Sequence, residues 1–352
     1  MNLLKETVEK ITPLNEEAGA RARARLEQLT MPHWALGRLM DLAVDLAAIT
    51  GHTPPPLTRK TIVTMAGDHG VVEEGVSKFP QEVTPQMIFN FVNGGAGVNA
   101  LAGLTGARVV VVDMGVNADL GALDGKIISK KIGMGAANIA RGPAMSREDA
   151  VRCVEAGIEV ALELGRSTDV FGTGDMGIGN TTPSSAIISA ITGSEPARIT
   201  GRGTGLNDEQ LKRKVGIIEK ILDVNKPDKS DGIDVLSKIG GFEIGGIAGL
   251  ILGAASLKRP VLVDGFISTA AALIAKTIAP RAQDYMIASH LSEEPGHGVM
   301  LGVLGKKPLL DMNMRLGEGT GAALAMCVVD AAGKVLTDVA TFEEAAVAQA
   351  DK

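Results

Sequence analysis

Apolar residues recur along this chain in two rhythms. Near the N-terminus Ala and Leu return at helical spacing over Glu16–Leu29 and Trp34–Ile49, with Thr30-Met31-Pro32 between the two stretches. A proline-rich connector, His52-Thr-Pro-Pro-Pro-Leu, then closes the helical part. Beyond it short continuous apolar runs predict strands at Thr61–Met65, Arg108–Val112, Asp169–Phe171, Pro260–Val263 and Tyr285–Ala288, with a last short one at Leu309-Leu310. Helical patterns lie among them. They are Thr84 to about Leu104, weak at Asn93-Gly94-Gly95, then Arg147–Leu164, Asp208–Leu222 and Ile267–Ile278. Ile244–Leu257 is apolar throughout and rich in Gly and Ala, which predicts a buried, closely packed helix. Glu318–Val335 and Phe342–Ala350 are the C-terminal helical stretches.

The repeated order strand, loop, helix predicts an α/β fold with a parallel, Rossmann-like sheet between layers of helices. The expected division is a large sheet domain over residues 59–317 and a smaller helical domain built from both termini, 1–58 and 318–352. Ligands of such sheets bind beyond the carboxyl ends of the strands. Polar and glycine-rich clusters follow strand after strand here, at Gly67–His69, Asp113, Gly172–Thr182, Asp264 and Ser289–His297. One shared cleft is the simplest reading of that coincidence.

Composition narrows the partners. The 352 residues carry a net charge of −6 and only 3% aromatics, which argues against a basic nucleic-acid surface or a base-stacking groove. The run Ile244–Leu257 is shorter than the ~20 residues of a membrane span, and the first ten residues lack an apolar signal core. Cys153 and Cys327 sit in apolar helical surroundings and suit a reducing compartment. A cytoplasmic protein with no membrane partner is expected.

Gly172–Thr182, GTGDMGIGNTT, follows an apolar strand and reads as a loop before a helix, a geometry that points backbone N–H groups at an anion. A ribose phosphate suits it, with the donors on the phosphate and Asp175 on a hydroxyl; a tight structural turn is the equal alternative. Gly201–Gly205 with Arg202 is a second, weaker phosphate candidate. Asp68-His69-Gly70 is either a hydrogen-bonded turn or a pocket wall. Ser289–His297 is dense in hydrogen-bonding groups, but Pro295-Gly296 breaks the helical spacing that a metal pair prefers. Glu318 stands between glycines at a helix start, where it is either a favourable charge on the helix dipole or an accessible general base. The chain has neither a GxxxxGK[ST] phosphate loop nor a GxSxG elbow.

Seven stretches, taken together and in order, resemble the nicotinate-nucleotide–dimethylbenzimidazole phosphoribosyltransferases. They are Gly67–Met87, Gly174–Ala186, Gly201–Gly205, Gly240–Gly249, Asp264–Leu273, Ser289–His297 and Leu310–Ala325. The resemblance implies a homodimer that needs no cofactor and no metal. It implies transfer of 5-phosphoribose from nicotinate mononucleotide to 5,6-dimethylbenzimidazole with inversion at C1′. It places the catalytic base at Glu318. Nucleotide and phosphate contacts would fall on Asp175, Gly177, Asn180, Thr181, Gly203, Thr204, Gly205 and Ser292, with Lys214 and Asp264 lining the same site. Phe79, Pro80, Gln81, Met87 and Leu316 would hold the aromatic base. Asp175 stands where the family usually has glutamate; a bridging water would make up the shorter reach. Two other readings compete: a non-catalytic nucleotide- or benzimidazole-binding protein on the same fold, and a metal-dependent hydrolase using His290, Glu293 and His297.

Overall fold

The computed structural model describes residues 3–203 and 205–348. Six strands form one all-parallel sheet: β1 (Lys60–Gly67), β2 (Arg108–Gly115), β3 (Ile128–Ser129), β4 (Val170–Met176), β5 (Val261–Val263) and β6 (Met286–Ala288). Their order is β3-β2-β1-β4-β5-β6, the doubly wound arrangement in which the crossovers reverse direction between β1 and β4. A separate pair, β7 (His290–Ser292) and β8 (Leu310–Met314), forms a small ribbon immediately after β6.

The N-terminal helices are α1 (Leu3–Glu9), α2 (Glu16–Leu26) and α3 (Arg38–Thr50). Next come α4 (Val83–Val92), α5 (Gly97–Ala102), α6 (Arg147–Leu164), α7 (Thr181–Thr192), α8 (Pro196–Ile199) and α9 (Asp208–Asn225). The last five are α10 (Gly232–Ile239), α11 (Phe242–Ser256), α12 (Phe266–Ile278), α13 (Gly296–Leu304) and α14 (Thr320–Asp338). Local chemistry fixes several starts. Ser146 accepts the Asp149 N–H to cap α6, and Asn207 with Gln210 forms a reciprocal capping box on α9.

Every residue of β1 is buried, and alternate residues serve opposite layers. Met65 packs on the α11 side, against Gly246. Ile62 and Thr64 face the start of α14, where Thr64 Oγ1 donates to the Glu318 carbonyl at 2.8 Å. The sheet is thus held between α11, backed by α6, and α14, which also packs on α3. Helices α2, α3 and α14 form one cluster, tied by a bridge between Leu29 and Thr341.

The structure changes several expectations. The helix expected from Thr84 to Leu104 is two, α4 and α5, because Gly94 turns left-handed at φ +78° between them. The strand expected at Asp169–Phe171 continues as β4 to Met176, so half of the supposed glycine loop is sheet. Gly172 and Gly174 are there because helix α14 and the Glu318 backbone come too close for a side chain: a Cβ on Gly174 would lie 2.3 Å from the Glu318 carbonyl oxygen. Pro295 does not exclude a helix but begins one, as the residue before α13. Strand β3 and helices α1 and α10, too short for periodicity to reveal, were not foreseen. Residues 342–346 form turns and 347–348 are irregular instead of the expected helix, and positions 349 and 350 lie outside the described residues. Among the described residues one helix, α14, is long and apolar enough to cross a membrane by length and composition; here half of it is buried in the protein.

Candidate active site

The strand order directs attention to the carboxyl edge between β1 and β4. A cavity of ≈ 710 Å³ opens there. Its floor is the end of β4 and the turn into α7, with Asp175, Gly177, Asn180 and Thr181. Gly203 and Ser292 stand on one side, and Phe79, Met87, Leu316 and Glu318 on the other. These ten residues, drawn from five separate stretches of sequence, are expected site residues that the fold brings together. The mouth is apolar: Phe79 and Leu316 are half exposed or more.

Glu318 is held in an unusual backbone. Gly317, Glu318 and Gly319 are all left-handed, at φ +88°, +65° and +99°. A non-glycine residue adopts this conformation at a cost of order 1–3 kcal/mol, and such strain persists where surroundings enforce it. Here they do. The Glu318 carbonyl is bound by Thr64, Gly319 N–H donates to Asp264 Oδ2 at 3.1 Å, and the Val98 N–H donates to Glu318 Oε2 at 3.2 Å. The residue is only 6% exposed, and burial raises its pKa despite that hydrogen bond. A carboxyl group lifted toward neutrality, with one oxygen anchored, is suited to accept a proton.

Asp175 is buried to a similar extent. Burial, then the nearby Asp264 charge, pushes its pKa up to about 8, against the opposing hydrogen bond from Asn180 Nδ2 at 2.9 Å. At neutral pH it is therefore largely protonated and can donate as well as accept.

Asp264 is a correction. The resemblance puts it on the nucleotide wall, yet it is wholly buried behind that wall. It caps α14, accepting from the Gly319 and Ala322 N–H groups at 3.1 Å, and its Oδ1 lies 3.6 Å from His290 Nδ1. Burial raises its pKa, while His290 and the helix N–H groups oppose the rise. Its effect is to set the Glu318 turn. Lys214 is likewise behind the surface, 1% exposed, with Nζ donating to Thr181 Oγ1 at 2.7 Å; burial lowers its pKa to about 8. Pro80 is exposed outside the cavity, and Gln81 turns away to the His69 carbonyl and Asn117. Gly205, left-handed at φ +95°, shapes the second glycine loop without lining the cavity, and Thr204 lies outside the described residues.

The hydrolase reading loses its ligands. His297 Nδ1 accepts the Ser292 N–H at 2.8 Å, which leaves Nε2–H to donate to Thr269 Oγ1 at 2.9 Å, so neither ring nitrogen has a free lone pair. Burial, and then His290, depresses its pKa to about 3. Glu293 is exposed. Among the described residues no three His, Cys, Asp or Glu side chains are grouped to hold a metal.

Two features went unseen in the sequence. His69 and Glu243 form a buried pair, Nε2 to Oε1 at 2.7 Å, beneath the turn at Gly177. Burial works to lower the His69 pKa, but the Glu243 charge, its hydrogen bond and the Asp68 charge together outweigh it and leave the imidazole raised. Glu294 lines the cavity beside Gly203. Only its place in the polar run Ser289–His297 hinted at this.

The family model for phosphoribosyltransferases matches residues 11–347. The chain belongs to this phosphoribosyltransferase family. A relative from Syntrophotalea carbinolica, named nicotinate-nucleotide–dimethylbenzimidazole phosphoribosyltransferase, is 59% identical over 351 residues, 99% of either chain. Another of that name, from Desulfotalea psychrophila, is 58% identical over the full length of both chains. The crystal structure of the Thermus thermophilus phosphoribosyltransferase of the same name has a TM-score of 0.90 at 42% identity, covering 96% of this chain and 100% of that one. The phosphoribosyltransferase fold is therefore shared throughout, including the six-stranded parallel sheet.

Proposed function

We propose that the cavity transfers 5-phosphoribose from nicotinate mononucleotide to 5,6-dimethylbenzimidazole, giving α-ribazole 5′-phosphate and nicotinate. The single observation that carries the mechanism is the buried, strained and anchored Glu318 at the cavity wall. Its carboxylate takes the proton from one azole nitrogen while the other nitrogen attacks C1′ of the ribose. The C1′–N bond to nicotinate breaks, and its electron pair returns to the pyridinium, so the ring leaves neutral without a general acid. Attack from the face opposite the leaving group inverts C1′. Positive charge that develops on the azole is stabilised by the same carboxylate in a site with little water.

The other contacts follow from polarity. The N–H groups and hydroxyls around Gly177, Asn180, Thr181, Gly203 and Ser292 take the phosphate and ribose, and protonated Asp175 takes a ribose hydroxyl. Phe79, Met87 and Leu316 take the flat base, Met87 adaptably. We also read α2, α3 and α14 as the core of a small domain from both termini, which their mutual packing supports. The free thiols Cys153 and Cys327 suit a reducing cytoplasm. Exposed apolar Met312 and Leu316 fit a homodimer, which light scattering would check.

The deciding experiment mixes the purified protein with nicotinate mononucleotide and dimethylbenzimidazole and follows nicotinate. Release that requires both substrates is expected. Nucleotide binding without release would favour a binding-only protein.

A further inference from the structure

Glu294 brings a negative charge to the end of the cavity where the donor's phosphate is expected. Its Oε1 accepts the Gly203 N–H at 2.9 Å, and its Oε2 is buried with no hydrogen-bond partner among the described residues. Gly201 makes room for it: a Cβ there would fall 1.9 Å from Oε2. Lys214 and Thr181 converge on the same spot. A Cβ on Gly203 would lie 3.4 Å from Lys214 Nζ and 3.1 Å from Thr181 Oγ1. The Glu294 charge helps to keep this buried ammonium protonated against the effect of burial.

An N–H and a hydroxyl at the cavity wall, backed by a buried ammonium, form an anion site, and a carboxylate already occupies one of its donors. Two anions on one set of donors repel strongly at such separations. We propose that Glu294 is an internal stand-in for the substrate phosphate, holding the Gly201–Gly203 turn and neutralising Lys214 in the empty cavity and leaving the Gly203 N–H when a phosphate monoester arrives. The inference rests on the phosphoribosyl reading of the cavity. Its consequence is specificity. Phosphate alone must displace Glu294 and binds weakly, whereas a nucleotide adds ribose and base contacts that offset the displacement. Glu294 thus acts on donor selection, and no step of the reaction passes through it.

The test is Glu294→Gln, which keeps an acceptor for Gly203 but removes the charge. Calorimetry at about pH 6.5 would compare inorganic phosphate, nicotinate mononucleotide and nicotinate riboside on both proteins. Both phosphates should bind about ten-fold more tightly than to the wild type, and the riboside equally to both proteins. Glu294→Asp, which withdraws from Gly203 but keeps its charge, should gain less. Unchanged or weaker phosphate binding in Glu294→Gln would mark Glu294 as a simple loop clamp and overturn the proposal. An equal gain for the riboside would overturn it too. Phosphate binding that responds as expected in a protein without transferase turnover would sink the reaction instead, and leave the stand-in intact.

Discussion

The seam between α6 and α11 and the turn around Glu318 are both built on glycine, and they use it in opposite ways. In the seam glycine serves by what it lacks. A Cβ on Gly157 would lie 2.0 Å from the Gly246 carbonyl oxygen, and one on Gly249 2.0 Å from that of Val154. The two helices touch backbone to backbone, and Phe242 to Ala255 is buried throughout. At the turn glycine serves by the conformations it permits, since Gly317 and Gly319 let Glu318 project into the cavity from a left-handed backbone. One region gains rigidity from close packing. The other places a charge where water is scarce. The lesson is that glycine abundance alone does not mark a binding loop; the neighbour that would collide with a Cβ decides.

The sharpest way to break this contrast is Glu318→Gln. It should lower kcat by ~10²–10⁴-fold, about 3–5 kcal/mol on the barrier, while calorimetry finds nicotinate mononucleotide bound within a few-fold of normal. In the wild type kcat/KM for the azole should fall as pH drops through the raised Glu318 pKa, because only the ionised form accepts a proton. A variant that turns over normally would remove the base from the mechanism. Gly157→Ala tests the other side. The added methyl must push α6 from α11, with an expected loss of ~2–4 kcal/mol of stability by urea unfolding and little change in kcat for the folded enzyme.

Asp175→Asn separates charge from shape at the cavity floor. The folded pKa of Asp175, about 8, exceeds its ordinary value near 3.8, so the folded state holds a proton that the unfolded chain releases as pH rises between these values. Wild-type stability should therefore decline relative to Asp175→Asn from about pH 4 to about pH 8, by up to a few kcal/mol in paired unfolding curves. A constant difference across that range would show that Asp175 is ionised. The smallest expected effect is at the rim: Leu316→Ala should raise the azole KM a few-fold and leave the nucleotide Kd unchanged, for about 1 kcal/mol of lost apolar contact.

The fold was legible where patterns were long or repeated. The β1 and β2 runs and the all-apolar α11 stand in the structure nearly where periodicity puts them. The end of β4 was misread because Gly172 and Gly174 look like loop residues unless α14 is known to press on them. Much of the cavity was legible through motif resemblance, but burial was not. Asp264, ending an apolar strand, and Lys214, in a charged helix, read like wall residues, and only tertiary packing hides them. The His69–Glu243 pair joins positions 174 residues apart, which no local pattern could link.

The ribbon of β7 and β8 carries a last implication. Two strands of three and five residues, out of step near Leu291 and Ser292, are marginal on their own. Just past Met314 the chain reaches Gly317, and there Thr64 fastens Glu318 to the central sheet. Deuterium should therefore enter the ribbon amides early on warming while the β1 amides stay protected, with the boundary falling at Gly317. Loosening of exposed β8 alone would widen the mouth beside Leu316, yet the proton acceptor would remain seated.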